Sequence, residues 1–195
     1  MTGLRLLPAP ERTWVTWKNG GGEMCDVLVS PEGADLHTFD WRVGIARIDR
    51  DGPFSNFPDV DRTFMVVGGK GVRLDVEGLE TARLTHKSPP YAFPGDRPAT
   101  ARLVDGTAIA LNVMARRGAV QTRIGKCDGP ARFVVGDEAI TLLVWARGSA
   151  HVMADQRMAQ LGIYDAAVLT PQAQVQIAPG ERGHGWLIEL RSNDG

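Results

Sequence analysis

From Phe39 onward, the hydrophobic residues fall in short alternating or continuous apolar runs separated by Gly, Pro and Asp, without the sustained three-and-four spacing of an amphipathic helix. A chain punctuated in this way buries side chains by pairing short strands. The runs predict strands at Phe39–Ile48, Thr63–Val67, Gly71–Val76, Ala82–His86, Thr100–Val104 and Ala108–Ala115. After Arg116-Arg117-Gly118 the theme resumes at Ala131–Val135, Ile140–Ala146, Ala150–Met153, Gln174–Ile177 and Trp186–Arg191. Gly68-Gly69-Lys70-Gly71 reads as a hairpin turn, because glycine supplies the positive φ of tight turns.

One constant offset relates the two parts. Gly71 and Gly148, Pro94 and Pro171, and Val113 and Leu190 each stand 77 positions apart. Thr63–Leu74 then overlays Ile140–His151, with Lys70 or Arg147 just before the glycine. A gapless offset argues for a duplicated unit of about 75 to 100 residues, the size of one small antiparallel barrel or jelly roll. The expected architecture is therefore all-β and bicupin-like. It has two packed barrels, 1–117 and 118–195, with a short junction near Arg116–Gly118. The competing reading is a single β-sandwich whose halves resemble each other by chance.

Composition narrows the partners. Twenty-two Lys and Arg against 23 Asp and Glu leave a net charge of -1, so no global basic field awaits a nucleic acid. No window offers the roughly 20 consecutive apolar residues of a membrane span. Met1 to Glu11 lacks the pattern of a secretory signal, so a cytoplasmic protein is expected. Cys25 and Cys127 make neither a disulfide framework nor a CxxC pattern, and both read as reduced structural thiols. Oligomeric state is open, a homodimer included.

Several chemistries lack their signatures. His37, His86, His151 and His184 are isolated, without the paired spacing that grips a metal, so no metal or other cofactor is expected. There is no GxSxG elbow, no Cys beside a His, and no cluster of acids. Trp17-Lys18-Asn19-Gly20-Gly21-Gly22 is glycine-rich, but its lysine precedes the glycines and no GK[ST] follows, so it is not a phosphate-cradling loop.

That segment, taken with "FDWRVGIARIDRDGPFSNFPDVDRTFMVVGGKGVRL", "FPGD.P" and "LNVMARR", resembles the HutD/Ves family over most of residues 14–117. The resemblance implies a bicupin fold without a catalytic metal. It also implies a role in histidine utilisation as a protein that binds N-formylglutamate. The motif positions that carry over are Trp17, Lys18, Asn19, Arg42, Ser55, Phe57, Arg62 and Asn112. The chain departs from the family pattern at Met24, Asp26, Gly44, Asp59 and Ala110.

Two carboxylates and a formamide ask for one or two fixed cations and an amide partner. Arg62 and Lys18 offer the first, Asn19 or Asn112 the second, and arginine alone can grip a carboxylate with two parallel hydrogen bonds. Plainer roles stand beside these. Arg62 can pair with Asp59 or Asp61 on the surface, and Lys18 can be solvated. Arg42 can face the interior or water. Trp17 and Phe57 can be core or rim packing, and Asn112 can serve the fold alone. The favoured reading is a non-enzymatic binding protein for a small carboxylate. A cofactor-free isomerase or hydrolase using Lys18 or Asp26 as general base is the alternative, and a purely protein-interacting barrel is a third.

Overall fold

The computed structural model describes residues 3–17 and 19–193. The first strands are β1 (Leu4–Leu7), β2 (Val15–Thr16), β3 (Gly22–Ser30), β4 (Trp41–Ile48), β5 (Gly52–Pro53) and β6 (Val60–Gly68). Next come β7 (Val72–Val76), β8 (Ala82–Leu84), β9 (Tyr91–Pro94), β10 (Ala99–Leu103) and β11 (Ala108–Arg116). The last are β12 (Val120–Cys127), β13 (Ala131–Val134), β14 (Ile140–Arg147), β15 (Ala150–Ala154), β16 (Arg157–Leu161), β17 (Ala166–Leu169), β18 (Gln174–Pro179) and β19 (His184–Ser192). One 3-10 turn, Ala9–Glu11, is the sole helical element among the described residues. No helix among them is long and apolar enough to cross a membrane.

The chain divides into two compact units, Thr13–Ala119 and Met1–Arg12 with Val120–Gly195. The first unit stacks a six-stranded sheet, β2-β3-β4-β11-β6-β9, on a four-stranded sheet, β5-β10-β7-β8. Alternation in β7 turns Val72, Leu74 and Val76 inward and Arg73 outward. These three pack with Phe64, Val66, Phe93, Ala101 and Ala110 from the facing strands. Burying each large apolar side chain contributes about 1.5–3 kcal/mol. The central strands β4 and β11 are buried on both faces, hence their nearly continuous apolar sequence.

The second unit stacks β1-β17-β14-β19-β12 on β13-β18-β15-β16 around Leu143, Trp145, Val152, Leu161, Val175 and Ile177. Its strand order repeats that of the first unit. The sets β4-β11-β6-β9 and β5-β10-β7-β8 recur as β12-β19-β14-β17 and β13-β18-β15-β16, each strand eight places later.

Three expectations need correction. Among the described residues no ladder joins the two sheets of a unit, so each is an open two-sheet sandwich where closed barrels were expected. Gly68–Gly71 is not a hairpin turn, since β6 and β7 lie in different sheets. The glycines allow the sharp reversal, with Gly69 and Gly71 at φ of 76° and 112°, but a turn sequence does not say which strand its neighbour will pair with. The N-terminal segment does not belong with residues 13–117. β1 pairs with β17, Leu4 opposite Leu169, and Asp165 accepts the Ala9 amide at 2.7 Å. A strand partner more than 150 residues away leaves no local trace.

Candidate functional site

Alternation along β6 decides the position of its one cation. Val60, Arg62, Phe64 and Val66 share the inward face, while Asp61 points out and pairs with Arg117 at 3.0 Å. Arg62 is consequently 6% exposed, though it carries a charge. Phe93 on β9 and Met114 on β11 are its cross-strand neighbours.

Three phenylalanines box the guanidinium. Its central carbon lies 4.9 Å from the Phe54 ring centroid, 5.0 Å from Phe93 and 5.7 Å from Phe57, within the range of cation–π attraction. The loop carrying Phe54 and Phe57 is tied down by their amides, which donate to the carbonyls of Ala99 and Gly95 at 2.8 Å each. Gly95 makes room for the arginine stem, since a Cβ there would stand 3.3 Å from the Arg62 Cγ and Cδ and 2.7 Å from the Val60 carbonyl.

Arg62 Nη2 donates to Asn112 Oδ1 at 3.1 Å, whereas Nε is buried without an acceptor. Among the described residues no carboxylate forms an ion pair with it. The surface pairing with Asp59 or Asp61 is thus not formed. Burial pushes the guanidinium down to about 10, which still leaves it protonated at neutral pH. A depression of that size corresponds to roughly 3 kcal/mol of unfavourable desolvation.

A second arginine shares this inner face. In the sheet register Arg42, Met114, Arg62 and Phe93 form one row, and Asp26, Gly44, Asn112 and Phe64 form the next. Both arginines reach diagonally between rows, Arg62 to Asn112 and Arg42 to Asp26. Arg42 Nη2 donates to Asp26 Oδ2 at 2.9 Å and its Nε to Oδ1, so this cation is already neutralised. A bulge between Asp26 and Leu28 allows Asp26 and Val29, three residues apart, both to face inward. Gly44 separates Asp26 from Asn112 with no side chain of its own.

The structure brings Arg62, Phe57 and Asn112 together. Trp17 borders them through Phe54, the two rings meeting edge-on at 6.3 Å. Arg42 lies two strands from Arg62, about 10 Å across the sheet. Ser55 is exposed on the loop between the two phenylalanines. Asn19 is exposed, and its Oδ1 accepts the Gly21 amide at 3.0 Å in a local turn. Lys18 falls outside the described residues. Sequence reasoning missed Phe54, Phe93 and Gly95. All three sit inside the quoted motifs, but only the strand register reveals that they surround one guanidinium.

A surface depression of about 870 Å³ lies elsewhere, on the outer face of β13-β18-β15-β16, bordered by Arg132, His151, Met158 and Gln176. None of the motif residues borders it. Its side chains line an open sheet face, whereas Arg62 is a charge withdrawn from water without a counter-charge, so the chemistry concentrates at Arg62. No three His, Cys, Asp or Glu among the described residues converge as metal ligands.

Fold and site together define an all-β, cupin-like protein with an inward-facing, uncompensated arginine. The HutD sequence profile matches residues 9–187, and the chain belongs to the HutD family. It is 32% identical over 195 residues, 98% of this chain and all of the relative, to an uncharacterised 21.2 kDa protein of the hutC 3' region of Pseudomonas putida. Protein Ves of Citrobacter koseri is 29% identical over 164 residues, covering 82% of this chain and 84% of its own. The structure of HutD from Pseudomonas fluorescens superposes with a TM-score of 0.84 at 27% identity, over 97% of this chain and 99% of that one. A cupin 2 conserved barrel domain protein from Leptotrichia buccalis matches at TM-score 0.58 and 8% identity, over 92% of each chain, a likeness of fold alone.

Proposed function

We propose that this protein binds a small carboxylate metabolite at Arg62 without transforming it, and thereby modulates histidine utilisation in the cytoplasm. N-formylglutamate is the candidate guest. The observation that carries the reading is a buried guanidinium with no carboxylate partner. A charge held out of water needs compensation, and here a guest anion would supply it. Arg62 would take the carboxylate, and the Asn112 amide, whose oxygen already engages Arg62, would offer its N–H groups to a formamide oxygen. Phe54, Phe57 and Phe93 would exclude water and strengthen each charge-assisted hydrogen bond, worth about 1.5–3 kcal/mol. Two such bonds account for much of a micromolar affinity of about 8 kcal/mol.

The enzymatic alternative loses one candidate base, because Asp26 is engaged with Arg42. The P. putida relative's location in the hutC 3' region supports the metabolic setting. We infer further that the two units arose by duplication of one cupin-like unit, a reading supported by their repeated strand order. Calorimetry with N-formylglutamate, urocanate and glutamate tests the proposal. At least one should bind at millimolar affinity or tighter and be recovered unchanged, and that binding should vanish in Arg62→Met. Failure of all three to bind, or conversion of any of them, overturns it.

A further inference from the structure

Two arginines of one cross-strand row on the inner face, Arg42 and Arg62, are not equivalent, and their difference bears on how many charges of a guest the site can use. Arg42 and Arg62 stand either side of Met114 in one cross-strand row. Arg42, with its side chain 11% exposed, is gripped at both ends of its fork by Asp26, whose side chain is 38% exposed. Arg62 meets only the neutral oxygen of Asn112. Within these two cross-strand rows, the two cations and one anion leave a single positive charge, at Arg62.

We infer that the site reads one carboxylate of its guest and gains nothing from a second, with Asp26 as the residue that sets this. The inference rests on the carboxylate-binding reading above. A second carboxylate directed along the row toward Arg42 would meet a guanidinium whose charge is already balanced through Nε and Nη2 by Asp26, and with it the carboxylate of Asp26. Like charges brought together in a partly desolvated site repel, so the second carboxylate is kept out of the row. Among the described residues of these rows nothing balances a second carboxylate, so a dicarboxylate can still bind by leaving that group in water, where it adds nothing. Gly44, between Asp26 and Asn112, adds no side chain of its own there; a Cβ at that position would lie 3.1 Å from the Cys25 carbonyl oxygen, 3.6 Å from Met24 Cε and 3.8 Å from Asp26 Oδ1.

The test compares N-formylglutamate with its isostere N-formylglutamine, which replaces the side-chain carboxylate by an amide, in calorimetric titrations of the whole chain. The wild-type protein should bind the two within about threefold of each other. Asp26→Asn frees Arg42 and should favour the dicarboxylate by about tenfold or more. Asp26→Glu keeps the charge and should retain the wild-type ratio, which separates loss of charge from loss of folding. A wild-type preference of tenfold or more for the dicarboxylate, or a ratio unmoved in Asp26→Asn, overturns the inference while leaving carboxylate binding intact. If neither compound binds the wild-type chain, the underlying reading fails first.

Discussion

Arg62 on β6 and Asn112 on β11 meet one row out of register on the inner face of a sheet, Nη2 donating to Oδ1 at 3.1 Å. An amide satisfies one donor without cancelling the charge, so the guanidinium is oriented but still positive. The rest of the site depends on that distinction.

Asn112→Asp converts the contact into a charged pair with almost no change of shape. It should raise stability to urea unfolding by about 1 kcal/mol or more, because a buried charge gains its counter-charge. Carboxylate binding should fall at least about tenfold, since one charge-assisted bond is worth 1.4 kcal/mol or more. Chemical denaturation beside calorimetry reads both effects, and a variant that gains stability while keeping its affinity would contradict this role for Asn112.

Gly95 is predicted to be intolerant of a methyl group. In Gly95→Ala the new Cβ meets the Val60 carbonyl at 2.7 Å and the Arg62 stem at 3.3 Å, so backbone and arginine must both shift. Overpacking of this kind costs about 1–3 kcal/mol. The melting temperature should drop and affinity should weaken with it, measured by thermal unfolding and titration on one preparation.

Much of this was legible in the sequence, and the exceptions are physical. The runs that became β4, β7, β10, β11, β14 and β15 alternate or stay apolar because one or both of their faces are buried. β12, with the sequence VQTRIGKC, buries only Cys127 and so lacks the pattern that announces a strand. β3 begins within a glycine run, and its bulge shifts the inward-facing residue from Leu28 to Val29, which defeats simple alternation. Arg62 is singled out by the sequence, and its inward placement could have been read there too, since period two groups it with Phe64 and Val66. The phenylalanine box could not, because Phe54, Phe57 and Phe93 converge only through the pairing of β9 with β6 and the loop bonds to Gly95 and Ala99.

The pH dependence follows from a guanidinium pushed down to about 10. Carboxylate affinity should be flat from pH 6 to 9 and fall above about 10 as Arg62 loses its proton. The sign for stability is opposite. A cation whose folded value lies below its unfolded value costs stability at every lower pH, and that cost is relieved as pH rises through about 10. Taking the difference between wild type and Arg62→Met in alkaline unfolding cancels the Lys and Tyr titrations; a difference that does not shrink above pH 10 would refute the assignment.

The stoichiometry should be one guest per chain. At the offset that relates the two units, Arg62 corresponds to Ala139, Phe93 to Thr170 and Asn112 to Glu189, so the second unit carries neither the cation nor its box. Calorimetric titration that saturates at two equivalents would require a site in the second unit.

The central claim is that Arg62 is kept in the interior for its charge and not for the fold. Arg62→Met retains the aliphatic stem, removes the desolvation cost and forfeits the three cation–π contacts. Thermal unfolding of that variant, paired with titration of the carboxylate, measures the trade directly. Stability unchanged or raised, with binding abolished, is the predicted result. A loss of several kcal/mol with affinity preserved would identify Arg62 as a structural residue and contradict the account.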